Sequence, residues 1–326
     1  MKLPALALLG LVGLQRPGTA PARRVATTRA AGRAELNPAA AVAATFCMST
    51  GFDYLVDTQD FTAINDLSMW CPEGHVAAAK ALAFVGLAHE DREIREKSMQ
   101  GLGVQISALM EEEDPVAKEY IGLIAQMLKD DSSEVVRQEA VQALKDLGIT
   151  AIGRQADAMV TMCITALAEA AVDDEAMHVR APAAEALSSV AVRALGAGRR
   201  DLATDIMGKL ELQVYADGEG PVRGAASRAL GRVAIAALGG IDDTITAQCV
   251  AALREKGLGD DDFHVRWMAV NALGKVAKRA KAVNEPDVVD LVISALKEKA
   301  LGDKTDHIKH RAAEILQGYK GYTGDE

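Results

Sequence analysis

The chain has 326 residues, is 49% apolar and 4% aromatic, and carries a formal net charge of −10. Residues 1–45 hold six of its 36 basic residues and one of its 46 acids, which leaves 30 against 45 and a net of −15 for residues 46–326. A body so acidic repels phosphate backbones and anionic membrane surfaces, which argues against a nucleic-acid or membrane-surface partner.

Lys2 and an uncharged apolar run, Leu3 to Leu14, open the chain; Arg16, Arg23, Arg24, Arg29 and Arg33 follow before the first acid, Glu35. The run is too short to span a bilayer and has the length of a signal-peptide core. The Ala-, Arg- and Thr-rich stretch behind it reads as a transit peptide. Residues 1–45 are therefore expected to be a cleavable signal-plus-transit presequence, similar to those of proteins sent to plastids of secondary origin. Secretion and a mitochondrial destination are the alternatives, and no stable membrane insertion is expected once the presequence is removed. Residues 46–74 form no clean repeat but gather Phe46, Phe52, Tyr54, Phe61 and Trp70. Here Asp60 to Trp70 is expected to form a capping helix, with an aromatic docking segment around Phe52 and Tyr54 as the alternative.

From 75 to 317 one pattern returns every 42 or 43 residues, marked by a basic residue at Arg95, Arg137, Arg180, Arg223, Arg266 and Lys309. Three, six, seven and ten residues beyond Arg266 stand Ala269, Ala272, Leu273 and Val276; beyond Arg223 stand Ala226, Ala229, Leu230 and Val233. This is the i, i+3, i+4, i+7 stripe of one helix face. Another helix precedes each stripe, marked by an apolar pair such as Leu123-Ile124, Ala166-Leu167 or Ala252-Leu253; the fourth unit keeps only Leu210 of that pair. Each unit is thus a helix pair that buries its apolar face only by stacking on its neighbours. Residues 318–326 are expected to be a flexible tail.

A cation in the first turn of a helix is disfavoured by the macrodipole, so the recurring Arg needs an acidic partner. An Asp six residues earlier supplies one, giving the expected pairs Asp131 with Arg137, Asp174 with Arg180, Asp217 with Arg223, Asp260 with Arg266, and Asp303 with Lys309. An Asp in that turn accepts from backbone N–H groups and from Arg together, so these pairs are expected to form a structural ladder tying repeat to repeat.

The turn Asp, the Arg six residues on and the A-x-x-A-L helix resemble HEAT repeats, and six concordant units carry the resemblance. It implies an all-α fold, a right-handed α-α superhelix (α-solenoid, armadillo-like) of about six helix pairs with a ~43-residue period. It also implies second helices on the concave side and the work of a scaffold. The chain departs from the pattern in lacking the proline that bends the first helix, and Pro182 is placed instead in the first turn of a second helix. Both ends depart as well: His89 stands where the first turn Asp would be, and Lys309 where the last Arg would be.

No phosphate loop, G-x-S-x-G or metal-ligand spacing is present, so no catalytic residue, cofactor or metal site is expected. Cys163 and Cys249 sit at equivalent first-helix positions two repeats apart, too far for a disulfide, and read as core thiols; Cys47 and Cys71 keep the alternative of pairing across the cap. His178, His264 and His307 all fall two residues before the basic marker, but no second ligand recurs with them, so they read as turn packing. The cluster Lys275, Lys278, Arg279 and Lys281 reads as cations favoured by a helix C-terminus. The expected function is that of a non-catalytic scaffold, adaptor or assembly factor in an organelle, holding a protein partner on the concave face. Trp267 lies outside the shared stripe, and with Met268, Asn271, Arg228 and Arg232 it is the expected binding patch. Two alternatives stay open: a HEAT-like bilin lyase-type chromophore-attachment protein, and a metal-dependent HEAT-like enzyme. For the latter, the paired His-Glu motifs of deoxyhypusine hydroxylases reduce here to His89-Glu90.

Overall fold

Apolar stripes repeating at helical spacing dictate stacked helix pairs, and that is the architecture. A computed structural model of the chain describes residues 53, 55–56, 59–68, 74–111, 115–212, 214–239 and 243–319. The presequence, Cys47, Phe52, Tyr54, Trp70, Cys71 and the tail beyond Tyr319 lie outside the described residues. Every regular element among the described residues is helical: α1 (Phe61–Ser68), α2 (Gly74–Ala81), α3 (Arg92–Glu111), α4 (Val116–Asp130), α5 (Glu134–Gly153), α6 (Asp157–Asp173), α7 (Met177–Gly196), α8 (Arg200–Leu212), α9 (Gly220–Ala237), α10 (Asp243–Ala252), α11 (Phe263–Ala282), α12 (Pro286–Ala295) and α13 (Asp306–Gln317). The pairs α2–α3, α4–α5, α6–α7, α8–α9, α10–α11 and α12–α13 are the six units of an α-solenoid. Ahead of them α1 fills the stretch assigned to a cap; the Asp60 carboxylate accepts from the Ala63 amide at its start, and Ile64 is buried. At the far end Tyr319 is 9% exposed, and the Lys281 ammonium lies 5.2 Å from its ring centroid. Tyr319 stands two residues into the segment expected to be a tail.

The two layers pack differently. Along the second helices, α5 on α7, α7 on α9 and α9 on α11 make the most extensive contacts in the molecule, whereas neighbouring first helices touch sparingly. In a curved double layer the more closely spaced layer is the inner wall, so the second helices line the concave side. Close approach follows from small residues. A Cβ on Gly231 would lie 2.7 Å from the Ala272 Cβ, and one on Gly274 would lie 2.7 Å from the Ile315 Cδ1. In the outer layer, α2, α10 and α12 end in a π turn, Leu82–Gly86, Leu253–Gly257 and Leu296–Ala300. Leu87 and Leu258 follow the first two and are buried; Leu301, in the last described unit, is 41% exposed.

The ladder exists, but its rungs run forward rather than within a unit. Arg137 donates through Nε and Nη2 to the carboxylate of Asp174 in the next repeat, at 2.8 and 3.0 Å, while its Nη1 donates to the backbone oxygen of Asp131 at 2.7 Å. Arg95 with Asp131, Arg180 with Asp217, Arg223 with Asp260 and Arg266 with Asp303 repeat the fork at Nε–Oδ2 distances of 2.6 to 2.9 Å. The expected side-chain pairing of each Arg with the Asp six residues earlier is thus corrected: that Asp gives its own unit a carbonyl, and its carboxylate belongs to the Arg before. Each carboxylate also accepts the amide two residues on, for example Ala176 N–H to Asp174 at 2.9 Å. Planar two-point donation in a dry setting is the geometry that makes such bonds strong. Direction explains both ends. Among the described residues no ladder Arg stands before His89, and its Nδ1 still accepts the Asp91 amide at 2.9 Å. Among the described residues no ladder Asp follows Lys309, whose ammonium turns to Asp306 of its own helix at 2.7 Å.

Pro182 is also displaced from its expected place. Helix α7 begins at Met177, so Pro182 is interior. Its missing N–H frees the carbonyl of His178, and Gln138 of the preceding repeat fills that gap with a side-chain amide at 2.8 Å.

Candidate functional site

The stripe seals each second helix against its neighbours, so only the residues between stripes reach the concave surface. Those standing one, two, five, nine, twelve and thirteen places after the ladder residue are mostly exposed or half-buried, while those three, seven and ten places after it are buried apart from the half-buried Leu316 of the last unit. The exposed set changes from unit to unit. At the fifth place stand Gln100, Gln142, Glu185, Arg228, Asn271 and Glu314; at the ninth, Val104, Asp146, Ser189, Arg232 and Lys275.

The expected patch falls on two adjacent second helices, Arg228 and Arg232 on α9, and Trp267, Met268 and Asn271 on α11. Three of the five are engaged across repeats. Arg228 Nε donates to Glu185 at 2.9 Å, Arg232 Nη2 donates to Ser189 at 3.1 Å, and the Asn271 oxygen accepts from Arg311 Nε at 2.9 Å. These bonds sit on the surface, and such exposed pairs contribute little, about 0–1 kcal/mol each, so a partner displaces them at small cost. Trp267 is half-buried and stacked on Phe263 with ring centroids 6.2 Å apart. Met268 leans on the previous helix, its Cγ 3.6 Å from where a Gly224 Cβ would stand.

Lys275, Lys278 and Arg279 do not fit the helix C-terminus expected to favour them. All three are exposed, and only Arg279 of them belongs to the last turn of α11, so helix-dipole compensation does not account for the group. Their spacing, i, i+3 and i+4, puts three like charges side by side. The recurrence of glycine eight places after Arg95, Arg223 and Arg266, at Gly103, Gly231 and Gly274, was likewise a signal of the close inner layer.

Elsewhere the chemistry is quiet. Cys163 and Cys249 are buried free thiols, and burial pushes both up to about 12, far from a reactive thiolate. His178, His264 and His307 are exposed, and among the described residues no group of three or more His, Cys, Asp or Glu side chains is placed to hold a metal ion. A groove of about 720 Å³ opens among the ends of α3 and α5 and the starts of α4 and α6, lined by Met110, Pro115, Thr150, Arg154 and Met159. None of its lining side chains is a nucleophile paired with a base. No described helix is long and apolar enough to cross a membrane.

Residues 209–317 match the family model of HEAT repeats. No curated protein matches the chain in sequence. Among solved structures it is similar to an engineered protein, at 22% identity over 74% of this chain and 98% of that one, with a TM-score of 0.44. It is similar to a designed armadillo repeat protein in complex with the peptide (KR)4, at 18% identity over 73% and 98% of the two chains, TM-score 0.44. It is also similar to Cex1p, at 12% identity over 81% and 53%, TM-score 0.47.

Proposed function

The chain is a HEAT-repeat protein of the armadillo-like α-solenoid kind, and on that premise we propose that it is a non-catalytic scaffold or adaptor that holds a protein segment along the concave wall of its second helices. One observation carries this reading. The buried positions of the second helices repeat from unit to unit, while the exposed positions between them do not. A continuous wall with a fixed frame and variable surface residues supports recognition of an extended partner better than chemistry at one point.

The test is affinity capture with the purified chain from an organelle-enriched native lysate, followed by mass spectrometry and a pigment absorbance scan. A protein recovered in stoichiometric amount is the expected result. A tightly held pigment or metal without any protein partner would contradict the reading and favour the chromophore-attachment or metal-enzyme alternative. For destination, the two-part composition of residues 1–45 supports a plastid. A fluorescent protein carrying residues 1–45 is expected to reach that organelle, and its appearance in mitochondria or the medium would contradict this.

A further inference from the structure

Charge is distributed unevenly along the concave wall. In its N-terminal half Glu96, Glu139, Asp146 and Glu185 stand against Lys97, Lys145 and Arg193, so the two signs are mixed. The C-terminal half presents Arg228, Arg232, Lys275, Lys278, Arg279 and Arg311, and the one acid among its exposed inner positions, Glu314, is held by Arg311 at 2.7 Å. Lys275, Lys278 and Arg279 form no ion pair among the described residues. This basic surface belongs to a body whose net charge is −15 over residues 46–326. Neighbouring like charges repel and contribute nothing to the fold, and a concave wall concentrates their field.

We propose that the C-terminal half of the concave wall, on α9, α11 and α13, is the docking site for an acidic protein segment. The proposal rests on the scaffold reading and narrows it to a partner chemistry. Carboxylates complement Arg232, Lys275, Lys278 and Arg279, which hold none among the described residues, while Trp267, Met268 and Ile235 offer apolar surface beside them for the segment's other side chains. A nucleic acid shares the charge but not the fit: its dense phosphates would meet the acidic remainder of the molecule.

The experiment is fluorescence anisotropy with the full chain and three labelled probes: a glutamate-rich peptide, its lysine-rich counterpart, and an RNA of the same charge as the first. The glutamate-rich peptide is expected to bind, more weakly as salt rises. The double variant Lys275→Glu/Lys278→Glu is expected to lose on the order of tenfold in affinity with an unchanged Tm. Lys118→Glu/Lys129→Glu, on the outer helix α4, is the control and is expected to bind as the wild type does. Absence of glutamate-peptide binding, or undiminished binding by the double variant, would overturn the proposal. So would preference for the lysine-rich peptide, although that outcome leaves the scaffold reading standing on the N-terminal half of the wall. RNA binding as tight as the peptide's would overturn it in favour of a general polyanion site. The scaffold reading fails separately, when lysate capture yields no protein partner.

Discussion

The second and fifth repeats, α4–α5 and α10–α11, share one frame and present different surfaces. Arg137 and Arg266 are each 4% exposed and each grips the Asp of the following unit; Ala140, Leu144 and Leu147 in one match Ala269, Leu273 and Val276 in the other, all sealed from solvent. On the concave side the same places hold Gln142 and Asp146 in the second repeat, and Asn271 and Lys275 in the fifth. Frame and surface are therefore separable. Ladder and stripe hold the solenoid together, and the concave surface is left to residues the frame does not use.

The comparison breaks if the frame is not uniform. Replacing Arg137 or Arg266 by Ala leaves a buried aspartate unpaired, and each is expected to cost about 3–5 kcal/mol in urea or thermal unfolding, alike in both halves. A loss under about 1 kcal/mol in either would show that half to be held by something else. Next in size is the inner-layer spacing. Gly231→Ala places a methyl 2.7 Å from the Ala272 Cβ and is expected to destabilise by about 1–3 kcal/mol. Gly208→Ala, in a helix with nothing within 4 Å of the added carbon, is expected to stabilise by about 0.5–1 kcal/mol. Equal signs for the two glycines would refute the packing argument.

The ladder also predicts a pH dependence. Burial raises the Asp260 and Asp303 carboxyls, but hydrogen bonds from Arg223 and Arg266, from backbone amides, and the nearby positive charges together hold both below the usual carboxylate value. A depressed folded-state value means stabilisation that is complete above the unfolded value of about 3.9 and lost as pH falls through the folded one. Unfolding followed from neutral pH downward is expected to show stability falling below about pH 4, with a shallower fall in Asp303→Asn. The smallest effects belong to the ends. His89→Asp and Lys309→Arg restore the repeat pattern where the described residues hold no ladder partner, so each is expected to change stability by less than about 0.5 kcal/mol.

The period, the two helices per unit and the sealed stripe were legible from residue spacing, because a 3.6-residue periodicity repeated six times admits one packing. The direction of the ladder was not. Six residues back and thirty-seven residues forward lead from Arg137, Arg180, Arg223 and Arg266 to the same row of aspartates, so the sequence is consistent with either pairing. Only the ends separate them, since among the described residues no ladder Arg precedes His89 and no ladder Asp follows Lys309. The place of Pro182 was missed for a different reason: a Gln from the preceding repeat supplies the hydrogen bond that proline removes, and such a contact spans 40 residues. The expected patch fell on adjacent concave helices, but its arginines turned out to be bridged to the preceding repeat, and the unpaired cations lie one turn farther along α11.

Lysine labelling of the complex recovered from lysate, read by mass spectrometry against the free chain, tests the central claim most directly. If the concave wall holds the partner, Lys275 and Lys278 become protected while Lys118, Lys129 and Lys297 on the outer helices react as before. Protection confined to the outer lysines would contradict it.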